Sequence, residues 1–270
     1  MLNLIVPFAS QAKGFFLPFL LVNRMPISRS NSIVMRVSEF GETDLLVSFF
    51  SREHGRLKGV AKAGRKSVKR FANSLDILCL TDMEYEQGRG DLCFLHSGRL
   101  VDNFGRIRQS YEGLATASYL LELTEILFPL DLKAERMFDF LENALRSLDS
   151  GMDEFMVKTA FEAGAMSLGG FALGLNRCCR CGRAYAGKGR AVVIPAKGAI
   201  ACLKCEKESL ESPGLSPQGI ASLKAMQLLK FLTLPPPSPS AQELKEIGAV
   251  LARHIDYRLG RRPRSARFLL

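Results

Sequence analysis

Four cysteines arranged as two pairs constrain this chain more than any other feature. Cys178 and Cys181 have two residues between them, Cys202 and Cys205 likewise, and twenty residues separate the pairs. Two tight turns of this kind bring four sulfurs to the corners of one tetrahedron, the arrangement that Zn²⁺ accepts in structural sites. Gly182 follows the first pair, where such a turn needs a backbone free to take positive φ. Cys179 stands beside Cys178, but only Cys178 has the two-residue gap to Cys181. The predicted ligands are therefore Cys178, Cys181, Cys202 and Cys205, with Cys179 left over. Buried free thiols or disulfides are the alternative use of the same residues. Four sulfurs leave no open coordination position, so one structural zinc per chain would stabilise shape and not perform hydrolysis.

Charge is the second constraint. The formal net charge is +10, and it is unevenly spread. Residues 52–70 carry a local +7, residues 176–210 a local +6 and residues 253–267 a local +5, so the remainder of the chain is acidic by 8. Positive charge gathered into patches points to a polyanionic partner, against the alternative of a merely solvated basic surface. With 47% apolar and 24% charged residues the composition is that of a globular protein. Seven cysteines, four of them in a metal motif, imply a reducing compartment.

Residues 1–26 read as an extension. Their apolar run is interrupted by Lys13 and broken by Pro7 and Pro18, and its longest uncharged stretch is twelve residues. A membrane span needs about eighteen or more, and no basic region precedes the run as in a signal peptide. Met25 is the expected true start. From residue 30 to about 104 the pattern is that of strands. Ile33, Met35 and Val37 alternate with their neighbours, and residues 45–50, 56–63, 75–86 and 92–100 supply four further strands, the last two joined by a turn over residues 87–91. Five short strands in some seventy residues suit a closed barrel of the OB type, with an SH3-like barrel as the competing architecture. Beyond residue 104 the period becomes helical, with stripes ending near Pro129, near Ser150-Gly151 and near Phe171. A hairpin is expected through residues 191–194 and 199–201. Helices over residues 220–234 and 244–259 flank a stiff proline-rich linker at residues 235–239. The predicted fold class is α+β and multidomain: an OB-fold nucleic-acid-binding domain over residues 27–104, then a helical domain over residues 105–270 with a zinc module inserted at residues 176–210.

Arg56, Lys58 and Lys62 share strand parity, so they are expected on one face at a pitch of about 6.6 Å. Continued by Arg65, Lys66, Lys69 and Arg70, they form a basic patch able to follow a phosphate backbone. Three or four neutralised phosphates give a log–log salt slope of roughly −2 to −3.6. Phe49, Phe50, Phe71 and Phe94 could supply stacking surfaces, but a core role is the favoured reading of each. Catalytic constellations are sparse: His54, His96 and His254 lie in no nucleophile or metal motif, a local turn bond accounts for His54, and phosphate-loop and Gly-x-Ser-x-Gly motifs are missing. Glu122 and Glu125, at helical spacing, read as a solvated face. The chain is expected not to be an enzyme. The alternatives are a zinc-ribbon nuclease or RNA-processing enzyme, and a ribosome-associated binding module.

The stretch Val37-Ser38-Glu39-Phe40-Gly41-Glu42-Thr43-Asp44-Leu45-Leu46-Val47, followed by Phe50-Ser51-Arg52-Glu53-His54-Gly55-Arg56-Leu57, resembles the amino-terminal signature of the RecO family of bacterial recombination mediators. Ala61-Lys62-Ala63-Gly64-Arg65-Lys66, Phe71-Ala72-Asn73-Ser74-Leu75 and Ala117-Ser118-Tyr119-Leu120-Leu121-Glu122-Leu123 fit the same pattern, and the similarity covers most of residues 27–260. This resemblance implies a non-enzymatic, cytoplasmic, nucleoid-associated DNA-binding protein of recombinational repair, without membrane association. Such proteins bind single- and double-stranded DNA, anneal complementary strands and, with RecR, help load RecA onto strands covered by single-stranded-DNA-binding protein. It also implies that the four cysteines match a zinc module found in many members, and that DNA contact falls on the barrel patch as a whole, with Arg52 added to Arg56, Lys58, Lys62, Arg65, Lys66, Lys69 and Arg70.

Overall fold

The computed structural model describes residues 26–88, 90–229 and 239–269. Its first unit is a closed barrel of five strands, β1 (Ile27–Phe40), β2 (Asp44–Ser51), β3 (Gly55–Ala61), β4 (Leu80–Gln87) and β5 (Leu92–Asp102). The circuit runs β1-β2-β3-β5-β4 and closes by β4 pairing back to β1, with β3 and β5 parallel. This is the five-stranded OB arrangement. Tight turns at Gly41 and Gly55 set the first two hairpins, and a bulge between Val34 and Arg36 lets the long first strand bend around the barrel.

The alternation expected in the first strand is overridden, because Ile33, Val34 and Met35 are all buried. Val34 points into the barrel with Val47, Phe49, Leu57 and Leu95, while Ile33 and Met35 face outward into the helices. A strand buried on both faces loses its polar side. The fourth strand begins at Leu80, five residues later than its apolar pattern predicts. Residues 75–79 are turns and bends that send Leu75 and Cys79 into the barrel and Leu78 outward against the helices. The third strand ends at Ala61, so Lys62 and Ala63 belong to the loop that follows.

Among the described residues five helices follow. α1 (Tyr111–Leu127) starts where the Ser110 hydroxyl accepts from Gly113 N–H at 2.9 Å, and Pro129 lies just past its end. α2 (Glu135–Asp149) and α3 (Glu154–Leu168) pack against it. Phe50 on the outer face of β2 meets Phe138 of α2 at 5.8 Å between ring centroids. Ile33, Met35, Leu78 and Leu80 join residues of α1, α2 and α3 in one continuous core. Barrel and helices are therefore fused by packing and not merely tethered.

α4 (Pro217–Gln227) and α5 (Ala241–Leu259) pack on the far side of α3. α5 opens with a capping box, in which Ser240 accepts from Glu243 N–H and Glu243 accepts from Ser240 N–H. The helix predicted over residues 220–234 is seen from Pro217 to Gln227, and most of the predicted proline linker lies outside the described residues. Between α3 and α4 sits a small sheet of β6 (Ala191–Ile194), β7 (Ala199–Cys202) and β8 (Gly214–Leu215), in the order β7-β6-β8. No helix among the described residues is long and apolar enough to cross a membrane.

Candidate metal centre and nucleic-acid interface

The small sheet is sandwiched between two layers. Ala191, Val193 and Ile200 face α3, α4 and α5, whereas Val192, Ile194 and Ala201 face the opposite side together with Cys178. On that second side the two cysteine turns meet. The sulfurs of Cys178, Cys181, Cys202 and Cys205 all lie within 4.8 Å of one another, with Cys181 and Cys202 at 4.0 Å. A tetrahedron with metal–sulfur bonds of about 2.3 Å has edges of about 3.8 Å, so the cluster needs only a slight contraction to close on an ion. Cys202 N–H donates to the Cys178 sulfur at 3.3 Å, Gly182 N–H donates to Cys178 C=O at 2.9 Å, and Gly182 takes a φ of +73°. Cys179 stays outside the cluster, its N–H donating instead to Ile200 C=O at 2.8 Å.

Burial raises the Cys178 thiol, but N–H groups of the two turns outweigh it and bring the group down to about 6. Cys205, bonded to the other sulfurs, is pushed up to about 12. Four sulfurs this close repel one another as thiolates, so the free cluster keeps part of its protons. A cation removes that conflict and lets all four ionise. Among the described residues this is the one group of three or more Cys, His, Asp or Glu ligand atoms close enough to hold a metal.

Sequence reasoning missed what anchors this module. Arg190 donates to Glu208 at 2.9 Å and to Glu246 of α5 at 2.6 Å, and Glu246 also accepts from Ser216 N–H at 2.9 Å. Burial opposes ionisation of Glu246, yet Arg190 and Ser216 keep its carboxyl below the usual range. Spacing in the sequence carries no signal for contacts spanning 56 residues.

The eight cations of the predicted patch are distributed unequally. Arg52 is directed at the helices, pairing with Glu135 and Asp139 of α2 at 2.7 Å each. Arg56 alternates with inward-facing Leu57 as strand parity requires, but its guanidinium reaches the end of α1, where Nη1 donates to the carbonyls of Glu125 and Phe128. Those carbonyls have no partner within the helix, and a cation there also meets the negative end of the helix dipole. Lys62 pairs with Asp44 at 2.8 Å and Arg65 with Glu39 at 3.2 Å. Arg70 donates to Lys62 C=O and lies over the Phe71 ring at 5.1 Å. Lys58, Lys66 and Lys69 are exposed and have no ion pair among the described residues. Of the four phenylalanines, Phe49, Phe50 and Phe71 are buried, and Phe94 alone presents its ring to solvent, at 47% exposure.

Glu122 and Glu125 are not a solvated face. Glu125 accepts from Arg36 of β1 at 2.8 Å, and Glu122 accepts from the N–H groups of Arg264 and Ser265 at 2.9 and 2.7 Å and from the Ser265 hydroxyl. The two carboxylates tie α1 to the barrel on one side and to the 3₁₀ turn Arg264–Phe268 on the other. His54, expected to make a local turn bond, receives the Ser51 hydroxyl oxygen as acceptor for its N–H at 3.3 Å and places Nδ1 2.7 Å from the Tyr85 hydroxyl.

Comparison with known proteins matches both halves. Residues 25–104 fit the family described as Recombination protein O N terminal, and residues 108–267 fit Recombination protein O C terminal. Among curated proteins, one named DNA repair protein RecO from Moorella thermoacetica is 27% identical over 242 residues, covering 89% of this chain and 90% of that protein. One of the same name from Anaeromyxobacter sp. (strain K) is 30% identical over 241 residues, covering 88% and 93%.

Proposed function

Because the chain belongs to the RecO family, we propose that it is a DNA repair protein that works by holding nucleic acid, without covalent chemistry of its own. In this reading it binds single- and double-stranded DNA in the bacterial cytoplasm, at the nucleoid, and anneals complementary strands. With RecR it helps load RecA onto strands covered by single-stranded-DNA-binding protein. The observation that carries the reading is the set of exposed barrel cations, Lys58, Lys66 and Lys69, that have no carboxylate partner among the described residues.

The physical mechanism follows from charge. Two DNA strands repel through their phosphates, and cations that neutralise a few phosphates on each lower that repulsion. Release of condensed counterions then drives association. Lysines contact the backbone and leave base edges free to pair. The barrel supplies the platform, since Arg52 and Arg56 lock its orientation on the helices. In this reading Cys178, Cys181, Cys202 and Cys205 hold one Zn²⁺. The ion would supply a closed four-sulfur cross-link between the two cysteine turns and no catalytic position.

The test is annealing of two complementary labelled oligonucleotides by the purified full chain. The wild type should accelerate annealing, less so as salt rises. Replacing Lys58, Lys66 and Lys69 together with alanine should remove most of the acceleration while leaving the thermal midpoint unchanged. Annealing by the triple variant at the wild-type rate would overturn the role of the barrel face.

A further inference from the structure

Where the barrel meets α1 and the end of the chain there is an open cleft of about 400 Å³. Three elements distant in sequence line it. Arg36 of β1, Ser48 of β2 and Lys58 of β3 lie opposite one another in the strand register, forming one row across the outer barrel face. Strands stand about 4.8 Å apart, so Arg36 and Lys58 have their Cα atoms about 10 Å from each other, close enough for both long side chains to address one anion. Arg56 emerges two residues before Lys58 on the same face. From the opposite wall come Arg261 and Arg264, which follow α5.

Five cations therefore share this cleft with two carboxylates, Glu122 and Glu125, a local excess of three positive charges. Neither carboxylate neutralises the side chains from the far wall. Glu125 accepts from Arg36, and Glu122 is taken up by backbone N–H groups and a serine hydroxyl. Lys58 and the guanidinium groups of Arg261 and Arg264 have no carboxylate within ion-pair distance among the described residues. A cleft that concentrates like charge at a low-dielectric seam focuses potential on an entering anion.

We propose that this seam is a phosphate subsite, in which Lys58, Arg261 and Arg264 grip the backbone of a single DNA strand where it leaves the barrel. The inference rests on the reading that the chain binds DNA, and adds that two basic segments two hundred residues apart form one binding surface. Guanidinium groups suit this task, since their planar donors match phosphate oxygens in pairs. The Glu122 contacts hold the backbone of Arg264 and so aim its side chain without consuming it.

The experiment measures affinity of the full chain for a fluorescent oligothymidylate across a salt series. Arg261→Gln with Arg264→Gln should lower the magnitude of the log–log slope by about 1.4, since each phosphate contact to a single strand contributes about 0.7. A second double variant, Arg253→Gln with Arg267→Gln, removes the same charge outside the cleft and should leave the slope at its wild-type value. Lys58→Gln, on a strand that pairs with β2 and β5 and not with the C-terminal turn, should lower the slope by about 0.7. An unchanged slope in the Arg261/Arg264 and Lys58 variants overturns the subsite, as does an equal fall in both double variants, which would mean that only bulk charge matters. A wild type that shows no salt-dependent DNA affinity at all removes the underlying reading instead.

Discussion

Arg56 and Lys58 are two positions apart on one strand, and the structure gives them opposite roles. Arg56 lies half-buried against the last turn of α1, bonded to two carbonyls, while Lys58 is solvated with no partner among the described residues. Charge-assisted bonds to such a helix end contribute about 1.5–3 kcal/mol. Arg56→Ala should therefore lower stability by roughly that amount in urea unfolding. Lys58→Ala should change stability by less than about 0.5 kcal/mol yet reduce the salt slope of DNA binding by about 0.7. Strand parity foretold that both leave the core in the same direction. It had no means of telling that one meets a helix terminus encoded seventy residues later. Gly55 belongs to the same contact. It turns the β2–β3 hairpin with a φ of +77°, and a Cβ there would stand 1.9 Å from Leu132 C=O in the segment after α1. Gly55→Ala must both strain the backbone and push the helices away from the barrel, so a loss above about 2 kcal/mol is expected in the same assay.

At the scale of elements, the cysteine module was the most legible part of the chain, because ligand spacing and sulfur geometry are local. Choice of Cys178 over Cys179 needed only the count of intervening residues, and the four sulfurs gather accordingly. What sits behind them was not legible: the sheet of β6, β7 and β8 turns one face to the helices and the other to the cysteines. Among the described residues, that second face buries Val192, Ile194, Ala201 and Cys178 as its core. So small an apolar layer gives two turns little to close on, so if the cluster holds Zn²⁺ as proposed, the layer should depend on that ion. Chelation, or Cys202→Ser, should therefore abolish amide-exchange protection in β7 and weaken it in β6, while protection in the barrel strands stays at its wild-type level. Equal protection before and after complete metal removal would show that the cluster has no structural role. Native mass spectrometry of the untreated chain should find one zinc.

The barrel and the helices look separable in sequence, since the period changes from strand-like to helical near residue 104, and the two family matches also divide there. Packing crosses that boundary. Ile33, Met35, Phe50, Leu78 and Leu80 belong to the same core as the helical side chains, because Ile33 and Met35 of β1 and Phe50 of β2 put apolar side chains on part of the outer barrel face. Period-two reading assigns outward residues to solvent, and it fails where a second unit covers the sheet. A fragment of residues 26–104 would expose that face, so it should lack a cooperative unfolding transition even though its strands close a barrel. The seam also contributes to acid sensitivity. Burial opposes ionisation of Glu122, but the Ser265 hydroxyl and the N–H groups of Ser265 and Arg264 keep its carboxyl below the usual range, and Glu246 behaves likewise through Arg190 and Ser216. A depressed carboxyl contributes stability that is complete above its unfolded value, about 4.3 for glutamate, and lost as pH falls through the lower folded value. The contribution of these two carboxyls to the urea midpoint should accordingly be constant from about pH 7 to 5 and decline below about 4.3, added to the loss below about 6.5 that comes from His254, whose ring is held by burial below the ordinary histidine value. Glu122→Gln should make that decline shallower, because its proton no longer distinguishes the folded from the unfolded chain. A midpoint that falls equally steeply in this variant would mean that Glu122 does not couple the C-terminal arginines to α1 through its charge.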